Sequence, residues 1–196
     1  VLVSSNTQGI TEFSQDSGTL VLGSGTFDIA NLYLSGGEIK SSKGAALNGI
    51  NLITSNAPSF VNTTLSSTTS AEINGTISAP INIYGNLKGS GAVQNITICG
   101  SGTQYINGGL SAENLVYANS GTVRQNGTIT VNKTVKNTSS KVVGGQNTVL
   151  KSAGNIIGNH YNGGLTLDGV TVSDDKSFGG SLYTQNTVNL SNVSVN

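Results

Sequence analysis

The chain is built from short stretches in which apolar and polar residues alternate, each cut off within about ten residues by glycine, asparagine or serine. Thr19-Leu20-Val21-Leu22, Phe27-Asp28-Ile29, Ile81-Asn82-Ile83-Tyr84 and Leu165-Thr166-Leu167 are examples. No run of ten residues carries a 3.6-residue apolar period, and strong helix formers are scarce. Segments this short bury one face only as strands, so the chain is all-β.

Composition narrows this further. Glycine, asparagine, serine and threonine number 27, 24, 26 and 22, half of the 196 residues. Nine cationic and nine acidic side chains cancel, so the formal net charge is zero. A charge-poor, neutral chain has no electrostatic footprint for nucleic acid. Its longest apolar run, Leu115 to Ala118, is far too short for a membrane-spanning helix. One cysteine permits no internal disulfide. Val, Ile and Leu together are numerous enough for a core, and with proline rare and charge balanced the chain is expected to fold. No basic and apolar leader precedes Val1, so the start reads like that of a mature product.

Two architectures fit short strands. An antiparallel β-sandwich, a pilin-like head, is the favoured expectation, because Asn48-Gly49, Asn74-Gly75, Asn107-Gly108, Asn126-Gly127 and Asn162-Gly163 suit tight hairpin turns. A parallel β-solenoid is the alternative. The rhythm of Leu165 to Val172, Phe178 to Tyr183 and Val188 to Val195 resembles the rungs of surface adhesins and pectin-lyase-like helices. The Gly-Gly pairs starting at 108, 144, 163 and 179 are unevenly spaced, which counts against a regular coil. Residues 1–22 read as an extended N-terminal arm and residues 23–196 as a β-rich head. Val1, Leu2, Val3, Leu20 and Leu22 are its candidate donor-strand side chains, able to fill a neighbour's open sheet. The bland reading of the same stretch is a frayed first strand.

Candidate chemistry is sparse. Eight N-glycosylation sequons begin at Asn62, Asn74, Asn95, Asn126, Asn132, Asn137, Asn189 and Asn192, where composition alone gives roughly six. Asn95 lies in a strand-like run and is the weakest. His160, the sole histidine, reads as a loop residue, because no nucleophile or orienting partner accompanies it. Cys99 reads as a structural thiol. Asp168, Asp174 and Asp175 are the one acidic cluster, too few carboxylates for a calcium cage. Glycines 23 and 25, 89 and 91, and 100 and 102 form bare G-x-G triplets without the rest of a phosphate-binding fingerprint. No catalytic residue, metal ligand or cofactor is expected, and the chain is not read as an enzyme. Few carboxylates also mean few to lose their partners in acid, and the absence of Met and Trp removes oxidation targets.

With its mature-like start Val1-Leu2-Val3, its sequons, its near absence of charge and its β-only pattern through Asn196, the chain resembles the subunits of archaeal threads. These are glycosylated extracellular filaments of thermoacidophiles. The resemblance is one of overall character and carries no diagnostic motif. It implies a head-to-tail homopolymer joined by donor strands, decorated with N-linked glycans, placed on the cell surface and serving adhesion or biofilm. The alternative is a β-solenoid adhesin or passenger domain that binds glycans or surfaces.

Overall fold

The computed structural model describes residues 10–138 and 140–143 with their side chains. Outside them it describes the backbone of Gly144 and of nine strands: Leu2–Val3, Thr148–Ser152, Asn155–Gly158, Tyr161–Asn162, Leu165–Asp168, Thr171–Ser173, Phe178–Gly179, Leu182–Gln185 and Asn189–Ser191. All described strands join one hydrogen-bonded sheet, and each pairing is parallel. The protein is a parallel β-solenoid of about seven turns, not the antiparallel sandwich expected from the sequence.

Each turn has three faces. In the turn that starts at Thr19–Leu22, that strand is the first face, and Gly25–Leu34 bends to supply the second and third. Glu38–Thr54 covers all three faces of the next turn in one strand, and Ser59–Ile73 does so in the turn after. Further on the faces are separate strands, as in Thr103–Gly108 on the third face, Leu110–Tyr117 across the first and second, and Thr122–Asn126 on the third again. Parallel strands need a long connection, and here the other two faces of the turn provide it.

Register decides the core. Phe27, Leu47, Leu65, Ile81, Ile96, Leu115 and Val135 are consecutive ladder partners and are all buried. On the third face Leu32, Leu52, Ala71, Leu87 and Ile106 form a second buried column. Each aliphatic side chain packs on its counterparts above and below. Burying one contributes roughly 1.5–3 kcal/mol. The outward columns are polar and also in register. Asn48 donates to Asp28 at 3.0 Å, Asn51 to Asn31 at 3.0 Å, Ser70 to Asn51 at 2.8 Å and Asn114 to Asn95 at 2.8 Å.

Three physical features make this fold read as a sandwich. Strict alternation, as in Thr76–Ile83, is the pattern of a sheet with one wet face, which antiparallel sheets commonly show; a coil closed around its own core wets the outside of a parallel sheet equally well. The Asn-Gly pairs do not close hairpins. Gly108 and Gly127, with φ of 123° and 95°, turn the chain at the corner between the third and first faces, stacked beneath Gly89 with φ of 130°. A Cβ on Gly108 would stand 2.1 Å from the Gly89 carbonyl oxygen. A tight turn and a solenoid corner make the same demand for φ > 0. Asn48-Gly49 lies inside Glu38–Thr54, Asn74-Gly75 at a corner, and the glycine of Asn162-Gly163 outside the described residues. Lastly, the step along the first core column varies from 15 to 20 residues, because corners absorb the extra length without disturbing the ladder.

Buried polar groups hold the corner between the second and third faces. Gln104 donates to the carbonyls of Ile83 (3.2 Å) and Gly85 (2.9 Å) and accepts from Asn119. The Asn137 amide spans Ser140, accepting from its N–H at 2.9 Å and donating to its carbonyl at 2.8 Å. The Tyr117 hydroxyl donates to Gln125, and burial pushes this phenol above its ordinary range. These side chains supply hydrogen bonds where the strand ladder is interrupted.

Two substitutions test this packing in opposite directions. Leu65→Ala removes a fully buried link of the longest column and is expected to cost about 2–5 kcal/mol in chemical denaturation. Thr54 is fully buried and its hydroxyl has no hydrogen-bond partner among the described residues. The near-isosteric Thr54→Val is expected to raise stability by about 1 kcal/mol, and a loss of that size would contradict the assigned burial.

Candidate functional site

A concavity lies on the first face. Thr76, Ala92, Ser111 and Thr130 follow one another in register with their side chains outward, and the first three are small enough to leave a trough. Two adjoining hollows, of about 240 and 510 Å³, share this floor. Gln94, Glu113 and Asn132 flank one side, and Asn56 and Asn74 the other. The lining is hydroxyls, amides and methyls, with Glu113 its one carboxylate among the described residues.

Glu113 is held in place. Asn132 donates to it at 2.7 Å and Lys133 pairs with it at 3.3 Å. The Asn132 hydrogen bond first, and the Lys133 contact next, keep its carboxyl below the usual range. A glycosidase acid needs the opposite, a carboxyl raised enough to carry a proton, with a second carboxyl across the sugar. The groove is therefore equipped to accept and donate hydrogen bonds along its length. Glu72 is arranged similarly, pairing with Lys88 at 2.7 Å and accepting from Asn74 at 2.9 Å. Lys88 is the larger cause of its lowered pKa.

The residues singled out in the sequence are scattered over the solenoid. Asn62, Asn74, Asn126 and Asn132 are exposed. Asn62 stands at a corner with φ of 52° and donates to the Ser41 carbonyl at 3.2 Å. Asn95 is half-buried in an amide ladder. Asn137 is 2% exposed with both ends of its amide bonded to Ser140, which leaves a glycan no space in the folded chain. Asn189 lies on a described strand without a described side chain, and Asn192 lies outside the described residues. Leu2 and Val3 pair in parallel with Val21 and Leu22 of the same chain. Leu20 and Leu22 are buried in its own core, and Val1 lies outside the described residues. Thr19–Leu22 also pairs with residues 38–41, so the bound expected between arm and head at residues 22 and 23 runs through a turn of the coil.

Cys99 is half-buried, and burial raises its thiol, with a hydrogen bond to Tyr84 acting the other way. His160, Asp174 and Asp175 lie outside the described residues, as does the side chain of Asp168. Among the described residues no helix is long and apolar enough to cross a membrane. The outward columns and the groove were not found from sequence, because only the register brings their members together. Compared with protein-family models, curated proteins and solved structures, the chain matches none. The likeness to archaeal thread subunits thus rests on composition, sequons and the chain's β-only pattern.

The two held glutamates set an expectation for acid. Their folded pKa values lie below the ordinary 4.5, so the stability they give is present above that pH and is lost as pH falls through the depressed values. Both are solvent-facing surface pairs, where such gains are small. The melting temperature is expected to stay level from pH 7 to 5 and to dip slightly below about 4.5, with Glu72→Gln and Glu113→Gln flattening the dip. Cooperative loss of the β circular-dichroism signal between pH 7 and 5 would show that other carboxylates hold the fold.

Proposed function

We propose that this chain is a non-catalytic, cell-surface β-solenoid, an adhesin or passenger domain that binds an extended glycan along its first face. The observation that carries the reading is the trough floored by Thr76, Ala92 and Ser111 and edged by amides. Its axis follows the stack of strands, so an extended polymer can meet the same kinds of donor and acceptor on successive turns, roughly 4.8 Å apart. Sugar hydroxyls are matched by such paired donors and acceptors. A lining with one carboxylate, itself tied to Asn132 and Lys133, supports binding over hydrolysis.

The donor-strand filament expected from the sequence depended on an incomplete antiparallel sheet in need of a strand. Here Leu20 and Leu22 serve the chain's own core, and the solenoid carries ladder partners on successive turns. That removes the main support for a pilin and favours the solenoid alternative.

The experiment is retention of the purified chain on microcrystalline cellulose, chitin and immobilised dextran. Binding to at least one is expected, and Ala92→Trp, which fills the floor from outside the core, is expected to weaken it about tenfold with unchanged melting temperature. Absence of binding across the panel, or binding indifferent to Ala92→Trp, overturns the groove.

A further inference from the structure

A second surface differs in chemistry from the groove. Tyr84 and Tyr105 are 48% and 47% exposed, unusual for aromatic side chains in a chain with four Phe and no Trp. They stand on adjacent turns, on either side of Asn86. The Asn86 side-chain oxygen accepts the Tyr105 backbone N–H at 3.0 Å, which fixes Asn86 beside the second ring. Tyr84 lies against the backbone of Gly100, whose Cβ position would be 3.7 Å from the ring. Glycine there lets the ring rest on the chain while nearly half of the residue stays open to solvent.

The next turn adds charge. Arg124 is the register partner of Tyr105, and it is the one arginine in the sequence. Lys141 follows one turn on, opposite Thr122. Both are exposed, and neither takes part in the ion pairs found among the described residues, whereas Lys40, Lys88 and Lys133 are paired with glutamates. The outward neighbours on these turns, Asn107, Thr122, Asn126 and Val143, carry no charge. In a chain with zero net charge, this stretch of the third face is locally cationic beside two presented rings.

We infer that Tyr84, Asn86, Tyr105 and Arg124 form a binding site for a carboxylate-bearing glycan. The electron-rich face of a tyrosine attracts the C–H edges of a sugar ring. The planar guanidinium matches a carboxylate with two parallel hydrogen bonds, which an ammonium cannot reproduce. Lys141 adds screened attraction. Two cations are too few to bind a phosphate backbone, which takes many such contacts. The site lies on the third face and is independent of the groove on the first.

Retention of the full chain on immobilised alginate tests this, with dextran, dextran sulfate and an oligothymidylate as the other arms. The expected result is retention on alginate in preference to dextran sulfate and the oligonucleotide, weakened by added salt, with any dextran retention falling in Ala92→Trp while alginate retention does not. Arg124→Ala and Tyr105→Ala are each expected to lower affinity about tenfold, Tyr105→Phe to preserve it and Arg124→Lys to restore it only in part. All four side-chain changes lie outside the core, and equal melting temperatures confirm folding. Without Trp, emission comes from the six tyrosines, and the part of its change on alginate binding that belongs to these two rings is expected to vanish in Tyr84→Ala/Tyr105→Ala. Alginate retention unaffected by the arginine and tyrosine variants overturns the site, as does tighter binding of dextran sulfate or the oligonucleotide. Failure on cellulose, chitin and dextran with success on alginate would sink the groove and leave this site standing.

Discussion

The parallel backbone ladder is the interaction on which the rest of this structure depends. Each turn donates and accepts hydrogen bonds along the solenoid axis, and that bonding sets which residue of one turn lies over which residue of the next. Once the register is set, Phe27 lies over Leu47 and Leu47 over Leu65, and a core forms from side chains spaced by a whole turn in sequence. The same register builds the outer columns. Core and surface are therefore not separate designs, since a one-residue slip would exchange them on every strand it touched.

Corners are where the ladder meets its limits. A strand must end, the backbone must turn inward, and its polar groups need partners. Glycines solve part of this at the corner between the third and first faces, where Gly89, Gly108 and Gly127 stack. Side-chain amides solve another part between the second and third, where Gln104 and Asn137 bond the turning backbone. This division of labour accounts for part of the glycine and asparagine, other asparagines standing in outward columns such as Asn31 with Asn51 and Asn95 with Asn114. It also frees the faces to carry small polar residues, since the fold draws almost nothing from surface charge.

Function, on this view, is a property of columns. Thr76, Ala92 and Ser111 form a floor because they are partners in register, though separated by 16 and 19 residues in the chain. Tyr105 and Arg124 meet for the same reason. Reading the sequence linearly, Arg124 is a lone cation and Tyr105 an isolated aromatic, and neither suggests a site. The sequons show the converse. Asn137 looks equivalent to Asn132 in sequence, yet its amide is enclosed at a corner while that of Asn132 faces solvent beside Glu113.

The sequence by itself determined that this chain is all-β, that its strands bury one face, and that charged side chains are few. Those properties are local: β-branched alternation, turn residues and composition act within a few positions of each other. Only the tertiary structure decided that the strands run parallel, that Asn107-Gly108 and Asn126-Gly127 turn corners instead of closing hairpins, and that Leu20 and Leu22 belong to this chain's own core. Alternation and positive φ satisfy hairpin and coil equally. The choice between them lies in long-range pairing, where each turn gains its ladder bonds and apolar cover from turns some 15 to 20 residues away.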